Sequence, residues 1–160
     1  MKSLLFLCTG NSCRSQMAEA FAQMYCPHDW FIASAGLEKH GINLMMLQVM
    51  GEVGADMSQH YSKTINELST KTWDIIVTVC SHAEEKCPFL PSSHHLHLPF
   101  DDPPSLSKGL SNEESLLIYR RVRDEIKEVI KEAIKSFAMN EMSIKKPQSQ
   151  VGTVAKRIVR

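Results

Sequence analysis

Residues 3–15 read SLLFLCTGNSCRS, and no other stretch constrains the fold as strongly. Residues 3–7 form a short apolar run, which is typical of a buried strand. Residues 15–25 place their apolar side chains on one side at helical spacing. Between these elements lies Cys8, followed by five residues and then Arg14. The stretch therefore predicts a strand, a tight loop and a helix in direct succession.

The loop has the features of an anion-binding cradle that also holds a nucleophile. Backbone N–H groups of such a loop can point inward, and the N-terminal end of the following helix adds positive potential. We expect Gly10 to supply the unusual backbone angles and the Arg14 guanidinium to bind two oxygens of a tetrahedral anion. The same dipoles favour a thiolate, so we expect the pKa of Cys8 to fall to about 3.5–7.5.

The side chains of this loop have distinct predicted roles. Cys8 is the candidate nucleophile. We expect Asn11 to hold the shape of the loop through hydrogen bonds to backbone groups, and Ser15 to donate a hydrogen bond to the thiolate. The candidate oxyanion-binding residues are Thr9, Gly10, Asn11, Ser12, Cys13, Arg14 and Ser15. The loop alone does not distinguish phosphate from arsenate.

Strand and helix patterns alternate along the rest of the chain. The predicted elements are strands at 30–34, 73–79 and 95–98, and helices at 43–53, from Ser81 to Cys87, and from a Ser111–Glu114 capping box to Phe137. On the last helix, Arg120–Asp124 and Arg121–Glu125 are predicted i,i+4 ion pairs. The alternation predicts β-α-β units and a parallel sheet. Ligands of such sheets bind beyond the carboxyl ends of the strands, where the Cys8 loop begins.

The amino-acid composition limits which binding partners and which cellular compartment we expect for this protein. Lys plus Arg equals Asp plus Glu at 18 each, so no nucleic-acid or membrane partner is indicated. Neither a membrane-spanning apolar run nor a signal peptide is recognisable. Five cysteines without these signals favour the cytoplasm, where thiols serve catalysis, redox chemistry or metal binding. We expect a monomer with one domain over residues 1–137 and a flexible basic tail over 138–160.

A second group of cysteines follows the strongest strand signal, where residues 79–88 read VCSHAEEKCP. If the third strand lies beside the first, Cys80 emerges close to Cys8. Across a helix Cys80 and Cys87 are about 10 Å apart, beyond the Cα separation of about 7 Å that a disulfide allows. These cysteines could act in redox chemistry, serve as buried apolar groups, or bind zinc, although the spacings fit zinc poorly. The zinc site would use Cys8, Cys13, Cys80 and Cys87, with or without His82.

The N-terminal loop resembles that of the low-molecular-weight protein tyrosine phosphatase superfamily, which includes tyrosine phosphatases and thioredoxin-coupled arsenate reductases. The resemblance covers residues 2–137, and residues 7–19 (LCTGNSCRSQMAE) look like the reductase version. It implies a flavodoxin-like three-layer α/β fold with a four-stranded parallel sheet. It also implies a general acid directly before a proline, which in the segment PFDDPP (residues 99–104) selects Asp102 rather than Asp101.

For the chemistry, the resemblance implies a three-cysteine relay. Cys8 attacks arsenate, Asp102 protonates the leaving oxygen, and Cys80 displaces arsenite to give a Cys8–Cys80 disulfide. Cys87 then attacks Cys80, for which the intervening helix has to loop out. Reduced thioredoxin regenerates the enzyme, and no bound cofactor is expected. The oxyanion partners implied are arsenate and, in the same cradle, phosphate or sulfate.

Two other functions remain open. One is a low-molecular-weight protein tyrosine phosphatase that hydrolyses phosphomonoesters through a phosphocysteine; the other is a thiol redox sensor. The phosphatases tend to follow the acid with aromatic residues, whereas Pro104, Ser105 and Leu106 stand here. The loop around His40 also resembles the family, but we assign this histidine no role.

Some reductases of the family bind a monovalent cation beside the loop. Asn11, Glu19 and Ser34 match three of the residues involved. Tyr61 and Lys63 stand where the remaining threonine and aspartate would align. Either the ammonium of Lys63 replaces the cation or the site is absent, so the sequence predicts no bound metal and no potassium requirement.

Overall fold

Four parallel strands form one sheet in the computed structural model, which describes residues 2–81 and 90–139. The strands are β1 (Ser3–Cys8), β2 (Phe31–Gly36), β3 (Trp73–Thr78) and β4 (Ser92–His97). Their order across the sheet is β2-β1-β3-β4. In register, Cys8 pairs with Gly36 on one side of β1, and Leu7 pairs with Thr78 on the other. The predicted four-stranded parallel sheet, with the third strand beside the first, is confirmed.

Helices cover the sheet so that the central strand is buried on both faces. They are α1 (Arg14–Tyr25), α2 (Leu44–Glu52), α3 (Pro103–Leu106) and α4 (Asn112–Ala138), with a 3-10 turn at Ile65–Glu67. The connection from β1 to β2 contains α1 and the connection from β2 to β3 contains α2, and both helices pack against α4. α1 packs against β1, β2 and α4. All side chains from Leu4 to Leu7 are fully buried, as a three-layer fold requires.

The longest helix, α4, begins and packs as predicted. Ser111 Oγ accepts a hydrogen bond from the Glu114 amide (3.1 Å), and the Glu114 carboxylate accepts one from the Ser111 amide (3.3 Å). The apolar stripe from Val122 to Phe137 is buried. The helix ends at Ala138, one residue beyond the predicted domain boundary. In the described ranges, no helix has the length and apolar character needed to cross a membrane.

One of the two predicted ion pairs on α4 is wrong. Arg121 pairs with Glu125 as expected, at 3.0 Å. Arg120 instead donates to both carboxylate oxygens of Glu52 on α2, its closest contact being 2.7 Å. A bidentate guanidinium–carboxylate contact is stronger than a single contact within a helix, so the neighbouring helix determines the pairing.

Several boundaries differ from the sequence prediction. β2 continues to Gly36, β4 begins at Ser92 rather than at residue 95, and α3 and the 3-10 turn were not predicted. Short elements of three or four residues carry little periodic signal, which explains their omission. Most of the predicted helix after Cys80, and the tail from residue 140 onward, lie outside the described residues.

Candidate active site

A cavity of about 330 Å³ opens beyond the carboxyl end of β1. The loop between β1 and α1 forms one wall, and segments following β2 and β4 form the other. The lining residues are Cys8, Thr9, Gly10, Ser12, Cys13, Arg14, His40, Asn43, Asp102 and Pro104. This is where ligands bind in a parallel sheet. The fold thus gathers the predicted nucleophile, the predicted anion-binding cation and the predicted acid in one cavity.

Cys80 lies directly against Cys8, because β3 is hydrogen-bonded beside β1. The two side chains share a hydrogen bond, and Cys80 Sγ is 3.3 Å from Thr9 Oγ1. Both cysteines are buried and free of disulfides. Because β1 and β3 are neighbours in the sheet, the Cys8 and Cys80 thiols at their carboxyl ends lie next to each other.

The expected low pKa of Cys8 is not observed. The hydrogen bond with Cys80 and burial raise the pKa of Cys8 well above its usual value, whereas Arg14 and the Thr9 amide lower it. The loop's dipoles and the proximity of Cys80 were both predictable from sequence, but the hydrogen bond between the two thiols and its effect on the pKa of Cys8 were not. Burial and the second thiol therefore both oppose formation of the Cys8 thiolate.

Arg14, the first residue of α1, spans the cavity toward the acid. Its Nη1 donates to the Phe100 carbonyl at 3.0 Å, and its Nη2 lies 3.5 Å from Asp102 Oδ1. Its Nε is buried and has no hydrogen-bond partner within the described part of the chain. Buried charged donors are almost always paired, and an oxyanion oxygen in this cavity would complete the pairing.

Asn11, rather than Gly10, has the unusual backbone conformation of the loop. Its φ is +50°, a left-handed value that asparagine tolerates better than most residues. The expectation for Gly10 was therefore wrong: the positive φ angles within the described ranges do not include it. Gly10 serves close packing instead, since a Cβ there would lie 2.2 Å from Nδ1 of His40.

The side chain of Asn11 is fully buried behind the loop. Its Nδ2 donates to Ser15 Oγ and Ser34 Oγ, both at 2.9 Å. Its Oδ1 accepts from Gln16 Nε2 (2.9 Å) and from the Lys63 backbone amide (3.0 Å). Asn11 therefore braces the loop, although only its bond to the Lys63 amide is of the predicted kind and its other three partners are side chains.

Asn11 and Ser15 are not among the residues that line the cavity. Their side chains meet each other in the interior instead, so any contribution of these two residues to oxyanion binding comes from the loop backbone and stays a prediction. The hydrogen bond proposed from Ser15 to Cys8 stays a prediction.

The structure separates the two neighbouring aspartates. Asp102 lines the cavity and is the N-cap of α3, and its Oδ2 accepts a 2.6 Å hydrogen bond from Ser105 Oγ. Asp101 turns the other way and pairs with Arg121 of α4 at 3.2 Å. Only Asp102 is therefore placed to exchange a proton with a group bound near Cys8.

The remaining cysteines differ in their surroundings. Burial raises the pKa of Cys13 to about 12, so this thiol stays protonated beside the nucleophile. Cys26 follows the C-terminus of α1. Cys87, which the relay and the zinc alternative both require, lies outside the described residues.

Across residues 2–81 and 90–139, no three His, Cys, Asp or Glu side chains are grouped as metal ligands.

The residues compared with a family cation site lie together beneath the loop. Ser34 donates a short hydrogen bond to the buried carboxylate of Glu19. The ammonium of Lys63 donates to the Tyr61 carbonyl at 3.1 Å and lies 4.5 Å from the centre of its ring. Burial lowers the pKa of Lys63, and attraction to Glu19 opposes that shift. The Lys63 ammonium is therefore the positive charge that interacts with the Glu19 carboxylate.

Comparison with known proteins agrees with this geometry. Residues 3–146 match the low molecular weight phosphotyrosine protein phosphatase family, and the chain belongs to that family. The arsenate reductase of Halalkalibacterium halodurans is 45% identical over 131 residues, which are 81% of this chain and 93% of the relative.

Two solved structures extend the comparison. An arsenate reductase in a phosphate-binding state has a TM-score of 0.69 and 29% identity, covering 85% of this chain and 98% of its own. A thioredoxin-dependent arsenate reductase from Corynebacterium glutamicum has a TM-score of 0.66 and 24% identity, covering 88% of this chain and 64% of its own. The second of these shows similarity of fold alone.

His40 lines the cavity although sequence reasoning assigned it no role, and the same holds for Asn43 and Pro104. Its backbone amide donates to the Gly10 carbonyl at 3.0 Å, and its Nε2 donates to Glu38 at 2.7 Å. Behind the loop, His60 Nδ1 is 2.8 Å from Gln16 Oε1. The available signal for His40 was its position shortly after a strand end, because that edge of a parallel sheet forms the ligand site.

Proposed function

We propose that this chain reduces arsenate to arsenite through a thiol–disulfide relay of Cys8, Cys80 and Cys87. The observation that carries the proposal is the hydrogen bond between the Cys8 and Cys80 side chains inside an oxyanion-sized cavity. Hydrolysis of a phosphate ester needs one nucleophilic cysteine, whereas arsenate reduction needs two electrons from a pair of thiols. The similar arsenate reductases support this assignment.

Binding of the oxyanion depends on donors that the loop and α1 present together. The Arg14 Nε has no described partner and is available to an arsenate oxygen. Backbone N–H groups at the start of α1 add donors, and the helix dipole favours negative charge there. Among similar structures, one arsenate reductase is described in a phosphate-binding state, and phosphate has the same tetrahedral shape.

In the first step, the Cys8 sulfur attacks arsenic. An S–As bond forms and an As–O bond breaks, so the thiol and HAsO₄²⁻ give a Cys8–S–AsO₃²⁻ adduct and water. Asp102, which faces the cavity beside Arg14, hands its proton to the leaving oxygen. The thiol proton passes to solvent, from which the carboxyl is reprotonated.

In the second step, Cys80 attacks the sulfur of Cys8. A Cys8–Cys80 bond forms, the S–As bond breaks, and arsenic leaves with the electron pair as arsenite, which takes up the Cys80 proton. Cys87 then attacks Cys80, releases Cys8 as a thiol and leaves a Cys80–Cys87 disulfide. Each transfer is a thiolate attack, so its rate depends on the thiolate fraction and on access.

Regeneration requires a dithiol donor, for which we propose reduced thioredoxin. A dithiol reduces the Cys80–Cys87 bond by forming its own disulfide, so electrons balance without a bound cofactor. The relay needs a reducing compartment and thus a cytoplasmic location. We assign the activity to residues 1–137, acting as a monomer, and give the tail 138–160 no catalytic role.

Hydrolysis of phosphomonoesters is the second candidate, since the family match and the shared Cys8, Arg14 and Asp102 favour it. Both reactions begin with sulfur attack on a tetrahedral anion. They differ in whether water or Cys80 resolves the adduct. Residual phosphatase activity therefore does not exclude the reductase.

The deciding experiment measures arsenate-dependent NADPH oxidation with thioredoxin and thioredoxin reductase. We expect turnover in the wild type and in the matched control Cys26→Ser, and none in Cys8→Ser, Cys80→Ser or Cys87→Ser. In Cys87→Ser, arsenite release should stop at one equivalent, with a Cys8–Cys80 disulfide detectable by mass spectrometry. Absence of arsenate turnover in the wild type, with p-nitrophenyl phosphate hydrolysis intact in Cys80→Ser, would establish the phosphatase instead.

A further inference from the structure

The two carboxylate oxygens of Asp102 have different neighbours. Oδ1 lies 3.5 Å from Nη2 of Arg14, within the cavity. Oδ2 accepts a 2.6 Å hydrogen bond from Ser105 Oγ, which belongs to α3. Pro103 occupies the first turn of this short helix and restricts its backbone, so Ser105 is held three residues after the aspartate that caps the helix.

These contacts respond differently to a bound oxyanion. Arg14 has a free Nε and is the principal side-chain donor for the ligand, so its fork will turn toward arsenate and loosen its contact with Oδ1. The bond from Ser105 involves no group of the cradle and persists. During catalysis, Ser105 is then the hydrogen-bond donor that still restrains rotation of the carboxyl group.

We propose that Ser105 is a positioning residue for the general acid: its hydroxyl anchors Oδ2 of Asp102 and keeps Oδ1, the proton-carrying oxygen, directed at the leaving group. The inference rests on the proposed role of Asp102. Because Oδ2 is occupied as an acceptor, the transferable proton resides on Oδ1. Proton transfer needs hydrogen-bond geometry between the acid and the leaving oxygen, and a freely rotating carboxyl meets it less often.

The importance of this positioning depends on the leaving group. Expelling hydroxide from arsenate is difficult without protonation, since water has a pKa of about 15.7. A phenolate leaves more easily, because a phenol has a pKa of about 10, and p-nitrophenolate leaves more easily still. Loss of the Ser105 hydroxyl should therefore slow arsenate reduction most, phenyl phosphate hydrolysis less, and p-nitrophenyl phosphate hydrolysis least.

The test compares Ser105→Ala with Ser105→Thr, which restores a hydroxyl, and with Ser107→Ala as matched control. Ser107 is the C-cap of the same helix, and its Oγ has no hydrogen-bond partner among the residues described. We expect Ser105→Ala to lower kcat for arsenate about 3- to 10-fold, a fraction of what a general acid contributes. KM and the inhibition constant for inorganic phosphate should be unchanged, Ser105→Thr should recover most of the loss, and Ser107→Ala should match the wild type.

Two results would overturn the inference. One is a wild-type kcat in Ser105→Ala for arsenate and for phenyl phosphate. The other is an equal loss for all substrates together with weaker phosphate binding, which indicates a general distortion of the site. Asp102→Asn tests the underlying role separately: if its activity does not depend on the leaving group, the general-acid assignment fails. If the wild type reduces no arsenate, the two aryl phosphates alone decide the role of Ser105.

Discussion

Gly36, the last residue of β2, controls how closely the anion loop packs against the sheet. A Cβ at this position would lie 2.4 Å from the Glu38 carbonyl oxygen, and 2.8 Å from both the Asn11 amide nitrogen and the Thr9 carbonyl oxygen. All three atoms belong to the main chain, and two of them are in the loop that holds the nucleophile. The substitution Gly36→Ala therefore cannot be absorbed by rotation of a side chain.

The expected magnitude follows from that geometry. Overpacking a rigid interior costs about 1–3 kcal/mol, and we place Gly36→Ala at about 3 kcal/mol because only backbone can move. Gly51, within α2, is the matched control, since a Cβ there has nothing within 4 Å. Gly51→Ala should stabilise the protein by about 0.5–1 kcal/mol through helix propensity. Gly10→Ala should fall between the two, because its clash is with the exposed ring of His40.

Urea unfolding of the three variants and calorimetric titration with inorganic phosphate would measure both consequences. Displacement of the loop amides in Gly36→Ala should weaken phosphate binding by about tenfold or more, equivalent to about 1.4 kcal/mol. Phosphate affinity in Gly51→Ala should equal that of the wild type. The reasoning is refuted if Gly36→Ala unfolds within about 0.5 kcal/mol of the wild type and binds phosphate equally well.

Other predictions concern charge and protonation. Cys80→Ala should lower the pKa of Cys8, because the hydrogen bond to Cys80 is the largest cause of its rise; iodoacetamide should label Cys8 faster at neutral pH, and unchanged labelling would contradict this. The hydrogen bond from Arg120 lowers the pKa of Glu52 to about 2 from 4.5, so its stabilisation is present above about pH 4.5 and lost as the pH falls toward 2. The decline of Tm over that range should be shallower in Arg120→Gln than in the wild type. Replacing sodium by potassium should change kcat/KM by less than about twofold, because the Lys63 ammonium already supplies a buried cation. Strong activation by potassium would show that the Lys63 ammonium does not take the place of a bound cation.

The parts of the fold that were predicted correctly are those encoded by patterns of neighbouring residues. The apolar run before Cys8, the helix after Arg14 and the capping box at Ser111 are each encoded within a few residues, and each appears where expected. The placement of Cys80 beside Cys8 also followed, because the strand order of a doubly wound sheet is constrained by its connections.

Contacts between distant segments account for what sequence did not predict. The tight packing of Gly10 depends on His40, thirty positions away, and the left-handed turn is at Asn11 because four hydrogen bonds to its side chain hold it there. Arg120 pairs with Glu52 of another helix rather than within its own. None of these contacts has a signature in the spacing of residues along the chain.

The raised pKa of Cys8 follows from the geometry that a relay needs. A Cys8–Cys80 disulfide requires the two sulfur atoms to approach bonding distance, and in this pair the hydrogen bond with Cys80 and burial raise the pKa of Cys8. A site built for hydrolysis has no reason to accept this suppression of its nucleophile, because its adduct is resolved by water. Cys80→Ala should therefore have opposite effects on two readouts, with faster alkylation of Cys8 and no catalytic turnover of arsenate. If the variant gained alkylation rate and still turned over arsenate, the contact between the two thiols would have no part in the reaction.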